Sequence, residues 1–304
     1  MQGVVTKSTG SWYTVKTEDG NVYPCRIKGK FRIQGIKLTN PVAVGDYVGF
    51  DLEDDKENGI ITTINERNNY IIRRSNKLSK QYQIVASNLD QAFLVVTLVA
   101  PKTSLGFIDR FLVIAESYHV PSTIVFNKFD LYGEIPGVEE IIDIYRNIGY
   151  NCIATSAVDR TGTAEFKTAL QGKTTLLAGH SGVGKSSLIN AIYPDIKLRT
   201  GIISKYHQKG MHTTTFAEMF EVEENTHIID TPGIKNLGVV DIEDTELSHY
   251  FKEMKPYIGK CKFSNCLHVS EPECAILKAV EEGKITEERY HSYISILNNE
   301  DLYS

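Results

Sequence analysis

Gly179-His180-Ser181-Gly182-Val183-Gly184-Lys185-Ser186 decides the fold. It has the phosphate-loop spacing: a Gly, four residues, then Gly-Lys-Ser. Residues 173–178 before it read as a short buried strand, and residues 186–192 after it read as an opening helix. The glycines let successive backbone N–H groups turn inward and line an anion-binding hollow at a helix N-terminus. Lys185 is then expected to reach the β- and γ-phosphates as a point charge, with the Ser186 hydroxyl on Mg²⁺. His180, Ser181, Gly182, Val183 and Ser187 complete the expected cradle. A Gly-rich turn can match such a pattern by accident; the motifs on either side argue against that.

Upstream, from about residue 75, strand and helix patterns alternate, the mark of a doubly wound parallel sheet. Residues 92–99 form an apolar run, as expected of a strand buried on both faces. Residues 108–117 have helical spacing, residues 122–126 read as a strand, 138–148 as an amphipathic helix, and 151–155 as another strand. The strand at 122–126 ends in Asn127-Lys128-Phe129-Asp130, the Asn-Lys-x-Asp arrangement that reads guanine. The Asp130 carboxylate can accept from guanine's ring N–H and exocyclic amine, donors that adenine does not offer in that arrangement. Asn127 is expected to brace neighbouring loops and bond the base, and the Lys128 stem to lie against the rings. Ser156 and Ala157, at the next strand end, are expected to offer backbone N–H groups to the guanine carbonyl.

Downstream, residues 197–210 hold five Lys, Arg or His and no acidic residue, a candidate switch loop that also meets RNA phosphate. His212-Thr213-Thr214-Thr215 follows, and Thr214 is the threonine expected on Mg²⁺ and the γ-phosphate. Residues 226–230 read as a strand ending in Asp230-Thr231-Pro232-Gly233. Asp230 is expected to hold the metal through water, and the Gly233 N–H to bond the γ-phosphate. The usual GTPase order is phosphate loop, first switch, second switch, base motif, then the Ser-Ala element. Here the last two come first, so the chain reads as a circularly permuted GTPase core that it leaves just after the second switch.

Residues 1–72 read as five short strands separated by turn signals, which suits a five-stranded barrel of the oligonucleotide/oligosaccharide-binding type. Arg26, Lys28, Lys30 and Arg32 surround Phe31, a pattern that fits phosphate contact plus base stacking, although residues 1–74 carry 11 Lys+Arg against 9 Asp+Glu. Residues 73–240 are the expected GTPase domain. Residues 241–304, acidic and mainly helical, contain Cys261, Cys266, His268 and Cys274, a Cys₃His set suited to a closed structural Zn²⁺ site. Cys25 and Cys152 are expected in strand cores, and Tyr290, Tyr293, Ile294 and Leu297 form a packing stripe at helical spacing. The 304 residues exceed one ordinary core, and 41% hydrophobic with 23% charged residues is a globular composition. A net charge of −5 argues against a generally basic nucleic-acid binder, and no apolar run reaches membrane length. A cytosolic monomer without membrane attachment is the expectation.

With these motifs in this order, the chain closely resembles the RsgA family of circularly permuted GTPases, also called the YjeQ/YloQ family. The resemblance implies GTP and GDP as ligands, and a late step in assembly of the small (30S) ribosomal subunit. It further implies that the barrel and the zinc domain contact that subunit, with its 16S rRNA, and that the subunit stimulates hydrolysis. Met211 stands where family members often have Arg, and His180 occupies a variable loop position. Ile234 stands where many GTPases carry a water-orienting Gln, so intrinsic turnover should be slow, with His212 as the candidate catalytic substitute. A nucleotide-gated rRNA-binding module in which hydrolysis is incidental is the alternative of a different class. A small-molecule kinase would leave both the guanine motif and the second switch unexplained.

Overall fold

Alternating side chains build the N-terminal unit. β1 (Gln2–Ser8), β2 (Tyr13–Lys16), β3 (Val22–Ile27), β4 (Tyr47–Leu52) and β5 (Gly59–Ile64) bury Val5, Tyr13, Val15, Cys25, Val48, Phe50 and Ile61 in one core, since successive residues of a strand face opposite sides. The order is β1-β2-β3-β5-β4, and an antiparallel β1–β4 pairing closes the barrel. Only β3–β5 is parallel among these pairings. The described residues of this computed structural model are 1–27, 40–54, 57–74, 82–132, 135–194, 217–231 and 242–300.

β6 (Tyr70–Arg74) and β7 (Tyr82–Ser87) form a separate antiparallel pair. β6 spans the expected boundary at 72/73. A buried ion pair fastens this pair to the barrel: Asp46 accepts from Arg67 Nε and Nη2, each at 2.6 Å, and from the Ser87 hydroxyl at 2.6 Å.

The large sheet combines β8 (Gln91–Val96), β9 (Ser122–Asn127), β10 (Asn151–Thr155), β11 (Thr174–Ala178), β12 (Glu218–Glu223) and β13 (Thr226–Asp230) in the order β10-β9-β8-β11-β13-β12. All pairs are parallel except β12–β13. α1 (Leu105–Ser117) and α2 (Val138–Ile148) pack one face through Phe107, Phe111, Ile142 and Tyr145. α3 (Thr163–Leu170) and α4 (Lys185–Ile192) pack the other through Phe166, Leu170, Leu188 and Ile189. Ala92, Leu94 and Val96 of β8 join the first core, and Phe93 and Val95 the second. The chain therefore winds outward from β8 in one direction and from β11 in the other. The carboxyl ends of that central pair open the crevice where such sheets bind ligands.

β8 stops at Val96, short of the expected Val99. Thr97 folds back instead: its N–H donates to Thr103 Oγ1 at 3.3 Å, and its carbonyl accepts from the Thr103 N–H at 2.8 Å. Pro101 has no N–H for a ladder, so an apolar run need not remain strand.

Two short 3₁₀ turns, Leu247–Tyr250 and Lys255–Tyr257, lead to α5 (Ala275–Glu281) and α6 (Glu287–Leu297). Their core joins Leu247, Phe251, Met254, Ile276, Ala279 and Tyr293 to Val113 of α1. Tyr293 of the expected stripe is fully buried, with Tyr290, Ile294 and Leu297 packed against the same core. Arg289, 1% exposed, joins this unit to α1 beside the large sheet. Its Nη1 lies 2.5 Å from Asp109 Oδ1 and its Nε 2.6 Å from Glu253. The Tyr145 hydroxyl donates to Asp109 at 2.8 Å. At the other side of the sheet β1 pairs with β12 at Lys7↔Glu218, so the barrel strands and the large sheet run on as one continuous sheet. Lys7–Glu218 at 3.2 Å and Lys16–Glu221 at 2.5 Å flank that junction. Among the described residues no helix is long and apolar enough to cross a membrane.

Candidate functional site

The phosphate loop leaves β11 at Gly179 and enters α4 at Lys185. Gly179 and Gly184 sit at φ +140° and +94°, in the region that favours glycine. A Cβ at Gly184 would collide with Asn127 Nδ2, and one at Gly179 with the Val95 carbonyl. The glycines therefore let the loop close onto the ends of β8 and β9. His180 stacks on Phe107 of α1, ring centroids 3.9 Å apart. Ser186 is half-buried in the first turn of α4 and Ser187 is exposed.

Asn127 joins three loops with one side chain. It is 1% exposed; its Nδ2 donates to the Val183 carbonyl at 2.8 Å, and its Oδ1 accepts from the Thr155 hydroxyl at 3.1 Å. Lys128 follows in the left-handed region at φ +61°, and its Nζ donates to the Ala100 carbonyl at 2.6 Å. A 3₁₀ turn, Phe129–Leu131, carries the exposed Asp130. Ser156 is buried, and its hydroxyl accepts from the N–H groups of Val158 and Asp159, which shapes the turn holding Ala157. Sequence reading overlooked the loop at 97–103 and Tyr132, whose hydroxyl donates to the Asn127 carbonyl at 2.9 Å. A tyrosine two residues beyond the base motif carries no signal in the sequence.

Lys185 and Asp230 oppose each other at the phosphate end. Burial lowers the Lys185 pKa, against the pull of Asp230. Burial raises that of Asp230, against Lys185 and the Thr231 N–H. Lys185 Nζ donates to the Gly179 and His180 carbonyls at 2.7 and 3.0 Å. Asp230 Oδ1 and Thr231 Oγ1 are buried with no hydrogen-bond partner among the described residues. An unsatisfied carboxylate oxygen beside a buried ammonium fits a site that a divalent cation and phosphates complete. His212, Thr214 and Gly233 lie outside the described residues, as do Met211, Ile234 and the basic stretch at 197–210.

The second cluster is Cys261, Cys266, His268 and Cys274, whose donor atoms all lie within 4.8 Å of one another. His268 Nδ1 is 3.5 Å from Cys261 Sγ and 3.4 Å from Cys274 Sγ. Three thiols and one imidazole this close fit a tetrahedral zinc ion. Glu271 shapes the loop between them, accepting from the N–H groups of Leu267, Val269 and Ser270 at 2.6, 2.8 and 3.0 Å. The Tyr290 and Tyr293 hydroxyls donate to the His268 and Leu267 carbonyls, each at 2.8 Å.

A phosphate loop, a guanine motif on an earlier strand and a Cys₃His tail in this order invite comparison with known proteins. The family description "RsgA GTPase" matches residues 64–240, and "RsgA N-terminal domain" matches residues 2–61. The chain belongs to the RsgA GTPase family. It is a GTP-hydrolysing enzyme of circularly permuted order. The small ribosomal subunit biogenesis GTPase RsgA of Christiangramia forsetii is 54% identical over 305 residues, covering 99% of this chain and 97% of its own. The RsgA of Phocaeicola vulgatus is 53% identical, with the same coverage. Among solved structures, YjeQ from Thermotoga maritima aligns with TM-score 0.76 at 39% identity, covering 98% of this chain and 97% of its own. YloQ, a circularly permuted GTPase, aligns with TM-score 0.70 at 32% identity, covering 98% and 94%. The RsgA matches meet between residues 61 and 64, at the end of β5.

Proposed function

We propose that this chain binds the small ribosomal subunit and its 16S rRNA in the cytoplasm, and hydrolyses GTP there during late subunit maturation. Asn127 is the observation that carries the nucleotide side of this reading, because one buried amide holds the base motif, the phosphate loop and the next strand end together. The partner rests on the name carried by relatives 52–54% identical over 99% of the chain. Asp130 reads the guanine edge. Asn127, Lys128, Ser156 and Ala157 frame the base, and residues 179–187 wrap the phosphates. Ser186, Thr214 and Asp230 would hold Mg²⁺, and Gly233 would sense the γ-phosphate. Mg²⁺ supplies neutralisation of the charge shared between the phosphates. Lys185 adds a point charge to the transferred group.

Turnover should be slow alone, because Ile234 cannot orient water. Purified small subunits titrated into the enzyme are expected to raise the rate, and large subunits to leave it unchanged; equal stimulation by both would overturn the assignment. Single-turnover hydrolysis by His212→Ala on saturating small subunits is expected to fall about a hundredfold, the typical worth of a positioned acid–base group. An unchanged stimulated rate with unchanged binding removes the histidine from the mechanism.

Cys261, Cys266, His268 and Cys274 are the proposed structural zinc ligands. Burial alone would pull the Glu271 carboxyl up, but the N–H groups of Leu267, Glu271, Ser270 and Val269 outweigh it and hold it from 4.5 down to about 2. A depressed carboxylate contributes stability above its ordinary pKa and loses it as pH falls toward the folded value. Glu271→Gln is therefore expected to release zinc at a higher pH than the parent chain during acid titration with a colorimetric chelator. Coincident release curves would show that Glu271 does not organise the loop.

A further inference from the structure

The loop between β8 and α1 is tied to the guanine motif, and the tie is a single hydroxyl. Tyr132 is 2% exposed. Its Oη donates to the main-chain carbonyl of Asn127 at 2.9 Å and accepts from the Leu98 N–H at 3.0 Å. The first bond joins the last residue of the base-reading turn to its first. Between them the Leu131 N–H donates to the Lys128 carbonyl at 2.9 Å and the Tyr132 N–H to the Phe129 carbonyl at 3.0 Å. Lys128 occupies the left-handed region at φ +61°. A non-glycine residue holds that conformation only where its surroundings over-determine it. The turn that aims Asp130 is thus closed into a ring by the tyrosine.

The second bond does separate work. Leu98 begins the segment that leaves β8, and two residues later the Ala100 carbonyl accepts from Lys128 Nζ at 2.6 Å. Pro101, next in line, would lie 3.5 Å from a Cβ at Gly182 of the phosphate loop. The segment is closed on itself by the Thr97 hydroxyl, which donates to the Pro101 carbonyl, and by the paired bonds of Thr97 and Thr103. It lies at the carboxyl end of β8, against the crevice. The same hydroxyl therefore fixes the aim of Asp130 and the rail on which the Lys128 ammonium rests. Burial, with a further push from Asp130 and against the Leu98 N–H, takes the Tyr132 pKa up to about 12, so the phenol remains a donor. Its ring packs edge-on against Phe129 at 5.3 Å, a contact that phenylalanine would keep.

We propose that Tyr132 is a positioning residue for guanine selectivity, holding the Asp130 turn and the 97–101 loop in one register through Asn127 and Leu98. The inference rests on the guanine-nucleotide reading above. Without the hydroxyl, a buried carbonyl and a partly buried N–H both lose this bond, and the turn gains freedom at its strained residue. The loss should fall on base recognition, because Lys185 and the phosphate loop keep their own bonds.

The test measures affinities of the full-length wild-type chain and Tyr132→Phe for GDP and for IDP, which lacks the 2-amino group that Asp130 reads. Wild type is expected to prefer GDP; absence of that preference would sink the guanine reading itself. In Tyr132→Phe, GDP affinity should fall about tenfold, IDP affinity much less, and kcat at saturating GTP should stay within about twofold. Unchanged discrimination between GDP and IDP, with or without a lower melting temperature, overturns the proposal. Hydrogen exchange on the wild-type chain gives a second reading that does not depend on the variant folding. The Leu98 amide should be protected and become more so with GDP; exchange at an unprotected rate overturns the proposal.

Discussion

Asp130→Asn is expected to weaken GTP and GDP binding about a thousandfold, while improving xanthosine diphosphate by a comparable factor. A carboxylate is acceptor-only and meets two adjacent guanine donors. The asparagine amide keeps one acceptor and adds a donor, which faces the guanine amine unproductively. Xanthine carries a carbonyl where guanine carries that amine, so the new donor finds a partner. A site built around hydrogen bonds rejects the mismatched ligand by a large factor, because its own polar groups are left unpaired. Asp130 stands exposed on a short 3₁₀ turn, so the exchange leaves the core untouched. Calorimetry with the two diphosphates reads both halves. An asparagine variant that still prefers GDP would place base recognition elsewhere and remove the ground for the pocket described above.

Arg289→Met is expected to loosen the C-terminal unit by about 3–5 kcal/mol, the cost of breaking a buried ion pair from one side. The guanidinium is shared by Asp109 of α1 and Glu253, and its carbon lies 4.7 Å over the Phe251 ring. Its loss leaves two carboxylates facing an apolar core, and Asp109 Oδ2 already lacks a partner among the described residues. Native-state hydrogen exchange of the α6 amides measures this opening directly, and rates should rise by at least about a hundredfold. Neutralising the partners as well, with Asp109→Asn and Glu253→Gln, should restore much of the loss, because the penalty lies in the stranded charges. A single variant that opens no more readily than wild type would mean that other contacts hold the unit: apolar packing around Val113, the Glu116 pairs with Lys252 and Lys255, and the Arg110 bond to the Glu300 carbonyl.

Local patterns revealed the strands and the motifs at their ends, and long-range polar contacts stayed hidden. The phosphate loop, Asn127-Lys-Phe-Asp130 and Asp230 lie at strand ends because each motif is a short run with a fixed chemical task. The barrel strands were legible as alternation, and β9, α2, β10 and β13 as period or continuous apolarity. The Asp46–Arg67–Ser87 joint was not legible, since its members are 21 and 41 residues from Asp46 and are common residue types elsewhere. The same holds for Asp109 and Arg289, separated by 180 residues. The end of β8 was misplaced because Leu98 and Val99 are as apolar as the strand before them; only the bonds of Thr97 and Thr103 show where the ladder stops. Tyr132 matters through its hydroxyl's position, which composition and spacing do not encode.

The permuted strand order also sets a timetable for synthesis. Of the large sheet, β8, β9 and β10 leave the translation machinery first and already form neighbours. β11 pairs with β8 across 84 residues, as at Thr175 and Gln91, and with β13, which comes later in the chain. Closing such distant partners is entropically slow and waits for chain that does not yet exist. A nascent chain thus carries its half for the base well before its half for the phosphates, and nucleotide can assist only the final docking of the two.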